Sequence, residues 1–289
     1  MDDMRYEAPE TLDAAVALLA GAKGDARVLA GGTDLLVQLR AELIEPALLV
    51  DIKRIPAMMS IAAEAGGFRI GAAVPGAELG EHRALKKAWP GVVEAAELIG
   101  STQVQGRASM GGNLCNGSPA ADSVPALFAA EATVAILGPK GKREAPVSEI
   151  ATGPGKTSLA KGEIVVSIFL PARPKHSGDA YLRFIPRTEL DIAVVGAGIN
   201  LILDKSGTCT EARVALGAVA PTVLPVPEAG EALVGSKLDD GALEKMAAAA
   251  SAACRPIDDK RGTKEFRIKV AGVMARRAAQ IAYKRAGQN

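Results

Sequence analysis

The sequence predicts an α+β chain built from three consecutive units, and three observations predict it. Strand-like and helix-like apolar patterns alternate along its length, glycine and proline punctuate them, and 289 residues exceed a typical single domain. With 48% apolar and 23% charged residues, the chain can bury a sizeable core beneath an ordinary polar surface.

The first unit covers residues 1 to about 55. Thr11 can cap a helix running to residue 20, residues 27–30 read as a short strand, Gly31 to Asp34 as a turn and 35–41 as a helix. Residues 48–52 form another strand pattern, closed by Pro56. The second unit spans about 58–176. It offers strands at 68–74, 133–137, 144–147 and 164–170, helices at 77–88 and 92–99, and a helix candidate at 122–130. His82 falls in a charged helical pattern and reads as a surface residue. Residues 100–118 are a glycine-rich loop, and Pro171 and Pro174 mark the next boundary. The third unit covers 177–289, with strands at 181–185, 193–203 and 212–218 and helices at 240–253 and 263–284. In the last helix Phe266, Val270, Val273, Met274 and Ile281 lie near one face, the stripe of a helix docked on a core.

Composition excludes several functions. The net charge of +1 comes with mixed signs and no basic stripe, and aromatics are only 3%, so no nucleic-acid partner is expected. Early acids and no apolar core in residues 1–20 speak against a signal peptide, and no apolar run reaches the length of a membrane span. Cys115, Cys209 and Cys254 are odd in number and scattered, which fits a reducing cytoplasm and falls short of the four ligands of an iron–sulfur cluster.

Two glycine loops carry the chemistry. The first, Ala30-Gly31-Gly32-Thr33-Asp34, joins a strand to a helix. Its bare amides and the helix start favour a phosphate, Thr33 adds a hydroxyl, and Asp34 can cap the helix. Alone, this motif also suits a plain strand–turn–helix connection. The second runs from Gln103 to Asp122 and is long, polar and without periodicity, the mark of a functional or disordered loop. Val104, Met110 and Leu114 argue that it is ordered. Gly111 and Gly112 offer a second set of amides, with Ser109 and Asn113 as side-chain partners, and two amide nests suit the two phosphates of a pyrophosphate. Asp122 can accept from sugar hydroxyls, cap the helix behind it, or both.

AGGTDLL at 30–36, QVQGRASMGGNLCNGSPAADSVPAL at 103–127, GEIVVSIFLP at 162–171 and DIAVVGAGI at 191–199 resemble the FAD-binding medium subunit of molybdenum hydroxylases, over essentially the whole chain. The resemblance implies a two-part FAD-binding domain of the vanillyl-alcohol-oxidase type over 1–176, with subdomains of about 1–55 and 58–176. A C-terminal α/β domain of the carbon monoxide dehydrogenase flavoprotein type would follow over 177–289. It implies non-covalent FAD, with Leu29, Ala30, Gly31, Gly32, Thr33 and Asp34 on one side of the pyrophosphate and Ser109, Gly111, Gly112 and Asn113 on the other. Asp122 would hold ribityl or ribose hydroxyls, Val165 would touch the flavin ring, and Arg183 would stand where relatives often carry a lysine near that ring, unless it is a solvated strand-edge charge. The implied partners are a large molybdopterin-binding subunit and a small [2Fe–2S] subunit in a dimer of heterotrimers. Electrons would reach NAD⁺, a quinone or oxygen through FAD. The alternative is a non-catalytic flavin-binding assembly or regulatory protein.

This sequence departs from many relatives at Val104-Gln105-Gly106, where they carry Ile-Arg-Asn, and Arg107 could supply the missing charge. Two further features point elsewhere and fail. GPGKT at 153–157 lacks the leading glycine of a P-loop, since Ile150 occupies that position. Gly196-Ala197-Gly198 lacks the third glycine and the setting of a dinucleotide fingerprint. No His, Cys and Asp residues share metal-ligand spacing.

Overall fold

The computed structural model describes residues 4–187 and 190–289. The first unit is a three-stranded parallel sheet in which β3 (Leu48–Asp51) lies between β1 (Arg5–Glu7) and β2 (Ala26–Leu29). All four β3 residues are buried, as expected for the central strand of a parallel sheet covered on both faces. α1 (Leu12–Gly21) crosses from β1 to β2. Thr11 Oγ accepts the Ala14 amide at 3.3 Å, and Ala15, Val16 and Leu19 turn inward. α2 (Leu35–Arg40) follows the glycine turn and buries none of its residues.

The second unit is a five-stranded antiparallel sheet of order β4 (Ile61–Glu64), β5 (Gly67–Gly71), β10 (Ile164–Leu170), β6 (Thr133–Gly138) and β7 (Gly141–Pro146). A small hairpin of β8 (Ala151–Gly153) and β9 (Lys156–Thr157) precedes β10. Between β5 and β6 the chain makes six helices. The helix expected over 77–88 is in fact two, α3 (Gly76–Glu81) and α4 (Arg83–Ala88), because His82 leaves helical geometry at ψ 88°. Its Nδ1 accepts the Leu85 amide at 3.1 Å, and its ring meets Phe68 edge-on at 5.8 Å. His82 is therefore a half-buried cap rather than a surface residue. α5 (Pro90–Glu97) follows. The glycine-rich loop then folds into α6 (Thr102–Gln105) and α7 (Met110–Cys115) before α8 (Ser123–Ala129). Paired glycines disfavour a helix, yet α7 forms. Ser109 caps it, and Gly111 lies where a Cβ would come within 2.4 Å of the Ala72 carbonyl oxygen.

The third unit is an antiparallel sheet of order β11 (Ser177–Phe184), β12 (Val195–Leu203), β13 (Cys209–Gly217) and β14 (Leu224–Pro225). After β14 come α9 (Pro227–Glu231), α10 (Asp240–Ala253) and α11 (Lys264–Ala286). α8 lies against one face of this sheet: a Cβ at Gly198 would stand 2.4 Å from the Pro125 carbonyl oxygen. α11 lies against the other, where a Cβ at Gly178 would stand 1.9 Å from the Ala282 carbonyl oxygen. The glycines of β12 thus serve close packing. The face α11 buries also differs from the expected stripe. Phe266 and Val273 are exposed, and the inward residues are mainly Ala271, Met274, Ala275, Ala278, Ala279, Ala282 and Ala286. A backbone-to-backbone approach of that closeness leaves room only for alanine around Ala282.

Charges join the second and third units. Arg173 Nη1 donates to Asp179 Oδ1 at 2.6 Å, Asp179 Oδ2 accepts the Val92 amide at 3.1 Å, and Arg285 bridges Glu94 and the Asp179 carbonyl. Two apolar clusters fill the interior, one under the first two sheets and one between the third sheet and its helices.

Candidate functional site

The β2–α2 turn and the start of α7 face each other across a cleft, with the first residues of β10 as its floor. Ten of the thirteen expected site residues line it: Ala30, Gly31, Gly32, Thr33, Asp34, Ser109, Gly111, Gly112, Asn113 and Val165. The two loops touch at one point. A Cβ at Gly31 would stand 1.9 Å from the Arg107 carbonyl oxygen, so only glycine permits the contact. Gly32 has φ +78°, a conformation that L side chains rarely adopt. Gly112 is different: its nearest neighbour would be Ser109 Oγ at 3.1 Å, and the rest of its surroundings are open.

The amides of Gly31, Gly32, Thr33, Asp34 and Gly111 donate to no acceptor among the described residues. Backbone donors without partners are costly where water is excluded, and an anion satisfies several at once. The side chains around them are occupied. Ser109, 3% exposed, caps α7 through the Gly112 amide at 3.1 Å. Asn113 Oδ1 accepts from the Ser123 amide at 3.1 Å and the Ser123 hydroxyl at 2.7 Å, which places Asn113, rather than Asp122, in the capping role at α8. Asp34 stands at the N-cap position of α2 but makes no cap bond. Its φ −100°, ψ −47° is helical, and the extended geometry that turns a carboxylate back onto the first turn is absent. Cys115 also lines the cleft, and desolvation pushes its thiol up to about 12, leaving it neutral.

Leu29, Asp122 and Arg183 do not line the cleft. Leu29 is packed beneath Gly32. Asp122, at the start of α8, makes no cap bond. Its carboxylate accepts from Tyr181 Oη at 3.0 Å and from Arg183 Nη1 at 2.8 Å, with side-chain exposures of 10% for Asp122 and 6% for Arg183. Arg183 is therefore a buried, paired cation rather than a solvated strand-edge charge, and its Nε has no acceptor among the described residues. Burial pushes the Asp122 carboxyl up to about 6, against the downward pull of Arg183 and Tyr181. Arg107 supplies its carbonyl to the loop contact, and its exposed guanidinium does not line the cleft.

Sequence reasoning missed two groups here. Tyr181 carries no motif signal. Behind the first loop, Lys53 Nζ donates to the Ala30 carbonyl oxygen at 2.8 Å and to Asp51 Oδ1 at 2.7 Å, while Tyr6 Oη donates to Asp51 Oδ2 at 2.6 Å. Burial raises the Asp51 carboxyl, but the bonds from Lys53 and Tyr6 outweigh it and hold the group below its ordinary value. Among the described residues no group of three or more His, Cys, Asp or Glu could hold a metal, and no helix is long and apolar enough to cross a membrane.

Residues 2–173 match the family model described as the FAD binding domain in molybdopterin dehydrogenase, and residues 180–282 match that of the CO dehydrogenase flavoprotein C-terminal domain. The chain is 34% identical to a carbon monoxide dehydrogenase medium chain of Hydrogenophaga pseudoflava, over 97% of each protein. It is 33% identical to a xanthine dehydrogenase FAD-binding subunit of Escherichia coli O157:H7, over 99% of this chain and 98% of that one. The fold superimposes on a chain of the reconstituted CO dehydrogenase from Oligotropha carboxidovorans with a TM-score of 0.93, at 35% identity and 98% coverage of both.

Proposed function

The chain belongs to the family of FAD-binding flavoprotein subunits of molybdopterin dehydrogenases, and from that premise we propose that it is the electron-transfer subunit of a molybdenum hydroxylase complex, holding FAD without a covalent bond. The observation that carries the reading is the cleft itself, lined by two glycine loops whose amides have no acceptor among the described residues. The residues present fit a pyrophosphate: donors come from backbone, and the glycines allow close approach. Gly31 to Asp34 would hold it from one side, Gly111 and Gly112 from the other, and Val165 offers an apolar surface to a ring. Neither histidine lines the cleft, and Cys115 is a neutral thiol, which supports non-covalent binding. When bound, FAD supplies the redox chemistry, and the protein binds, orients and shields it.

The Asp122–Arg183 pair would act from beside this space. It connects to the cleft through Ser123, which both neighbours Asp122 and bonds Asn113. We assign 1–176 to the FAD domain, with subdomains near 1–55 and 58–176, and 177–289 to the C-terminal domain, in line with the two apolar clusters. The partners would be a large molybdopterin-binding subunit and a small [2Fe–2S] subunit in a dimer of heterotrimers, supported by full-length similarity to medium chains. Cytoplasmic placement is supported by three unpaired cysteines.

Purified chain should bind one FAD, released by acid, and should hydroxylate nothing by itself. A chain that stays colourless after FAD addition sinks the cofactor assignment. Turnover of a hydroxylation substrate by the chain alone sinks the subunit assignment.

A further inference from the structure

The first glycine loop is held from behind. Lys53 follows β3 and lies outside the cleft, yet its ammonium reaches the carbonyl of Ala30, the residue that opens the loop, at 2.8 Å. The ammonium is itself fixed. Asp51 Oδ1 accepts both Lys53 Nζ at 2.7 Å and the Lys53 amide at 3.0 Å, and Asp51 Oδ2 accepts Tyr6 Oη at 2.6 Å. Lys53 and Asp51 side chains are 21% and 11% exposed, so solvent competes little with the bond between them, whereas Tyr6 is 56% exposed.

A trans peptide unit is planar, with its C=O and N–H antiparallel. Pinning the Ala30 carbonyl to Lys53 therefore turns the Gly31 N–H to the opposite side, and the Gly31 amide is one of those with no acceptor among the described residues. Glycine supplies the freedom to bend here, but the same freedom would let the peptide rotate and withdraw its donor. Lys53 removes that freedom.

We propose that Lys53, held by Asp51 and Tyr6, is a positioning residue that presets the first loop for the pyrophosphate of the dinucleotide. This rests on the FAD reading above. It predicts that loss of Lys53 weakens every ligand carrying that pyrophosphate, whatever its other end.

The test is titration of the full apo-chain with FAD and, separately, with ADP, which carries a pyrophosphate and no flavin. The variants are Lys53→Met, Lys53→Arg and Tyr6→Phe, each followed by circular dichroism and thermal melting. Lys53→Met should weaken FAD and ADP alike, by about tenfold, the scale of one lost charge-assisted hydrogen bond. Lys53→Arg should restore most of the affinity. Tyr6→Phe should weaken both ligands about two- to threefold with an unchanged melting temperature, because Asp51 loses one of its restraints. Wild-type chain that binds no FAD would overturn the function proposed above. Wild-type binding with Lys53→Met unaffected would overturn this proposal alone. Should Lys53→Met fail to fold, unchanged affinities in Tyr6→Phe overturn it instead. A FAD defect without an ADP defect also overturns it.

Discussion

The amide cleft and the Asp122–Tyr181–Arg183 cluster are neighbours built on opposite plans. In the cleft, charged side chains are few and the donors are backbone amides of Gly31, Gly32, Thr33, Asp34 and Gly111, all without partners among the described residues. In the cluster the groups are ionisable side chains, buried, and bonded to each other. Backbone donors can wait for a ligand because a neutral amide tolerates low solvent access far better than a charge does. A buried charge cannot wait, so the protein supplies its partner in advance. Removing one member of the cluster should therefore damage the fold, and altering the cleft should damage binding.

Arg183→Met should have the largest effect. It leaves the Asp122 carboxylate buried with only Tyr181, and a loss of about 3–5 kcal/mol in unfolding free energy is expected at neutral pH. Chemical denaturation measures it, and a change below ~1 kcal/mol would break the contrast. Asp122→Asn addresses the same cluster through pH. The Asp122 carboxyl stands near 6 in the fold against an ordinary 3.8, so the native state binds its proton more tightly than the unfolded chain. Its favourable contribution is complete below the unfolded value and is lost as pH rises through about 6. Between those limits the loss amounts to about 3 kcal/mol. Stability curves of wild type and Asp122→Asn should then diverge in slope across that window and run parallel above it. Parallel curves throughout would mean that the carboxyl is not perturbed.

Gly31→Ala probes the cleft. Its Cβ would meet the Arg107 carbonyl oxygen at 1.9 Å, so the two loops must separate. FAD affinity should fall about 100-fold, or ~2.7 kcal/mol, while helix and strand content persists. An unfolded apo-protein would show that the contact holds the core rather than the site. Gly112→Ala is the control, since its Cβ meets only Ser109 Oγ, and it should cost severalfold less. Ser109→Ala should have the smallest effect, about 1 kcal/mol in stability from the lost α7 cap, with a modest weakening of FAD. Measuring both quantities on one sample shows whether the cap serves the fold, the cleft or both.

Much of the site was legible because its signals are local. Two glycine pairs, a serine before the second and a strand-to-helix setting for the first are each read within a few residues, and one cleft gathers them. What was not legible depends on distant partners. Asp122 offers the same sequence signal whether it caps α8, faces a sugar or pairs with Arg183, 61 residues away. Lys53 looks like any charge after a strand until the Ala30 carbonyl is placed beside it. His82 reads as one more polar residue in a helix until Phe68 packs against its ring.

The sequence by itself determined the alternation of elements, the turn positions that only glycine tolerates, and the family, since each depends on short-range backbone geometry or on motif identity. Tertiary structure alone decided which face of α11 is core. Hydropathy favours Phe266 and Val273, yet the helix presents mainly alanines, and around Ala282 the close approach of Gly178 leaves room for nothing larger. It likewise decided which charges are spent within the protein and which donors remain for a ligand. That division follows from distances between elements far apart in the chain, and no local pattern encodes them.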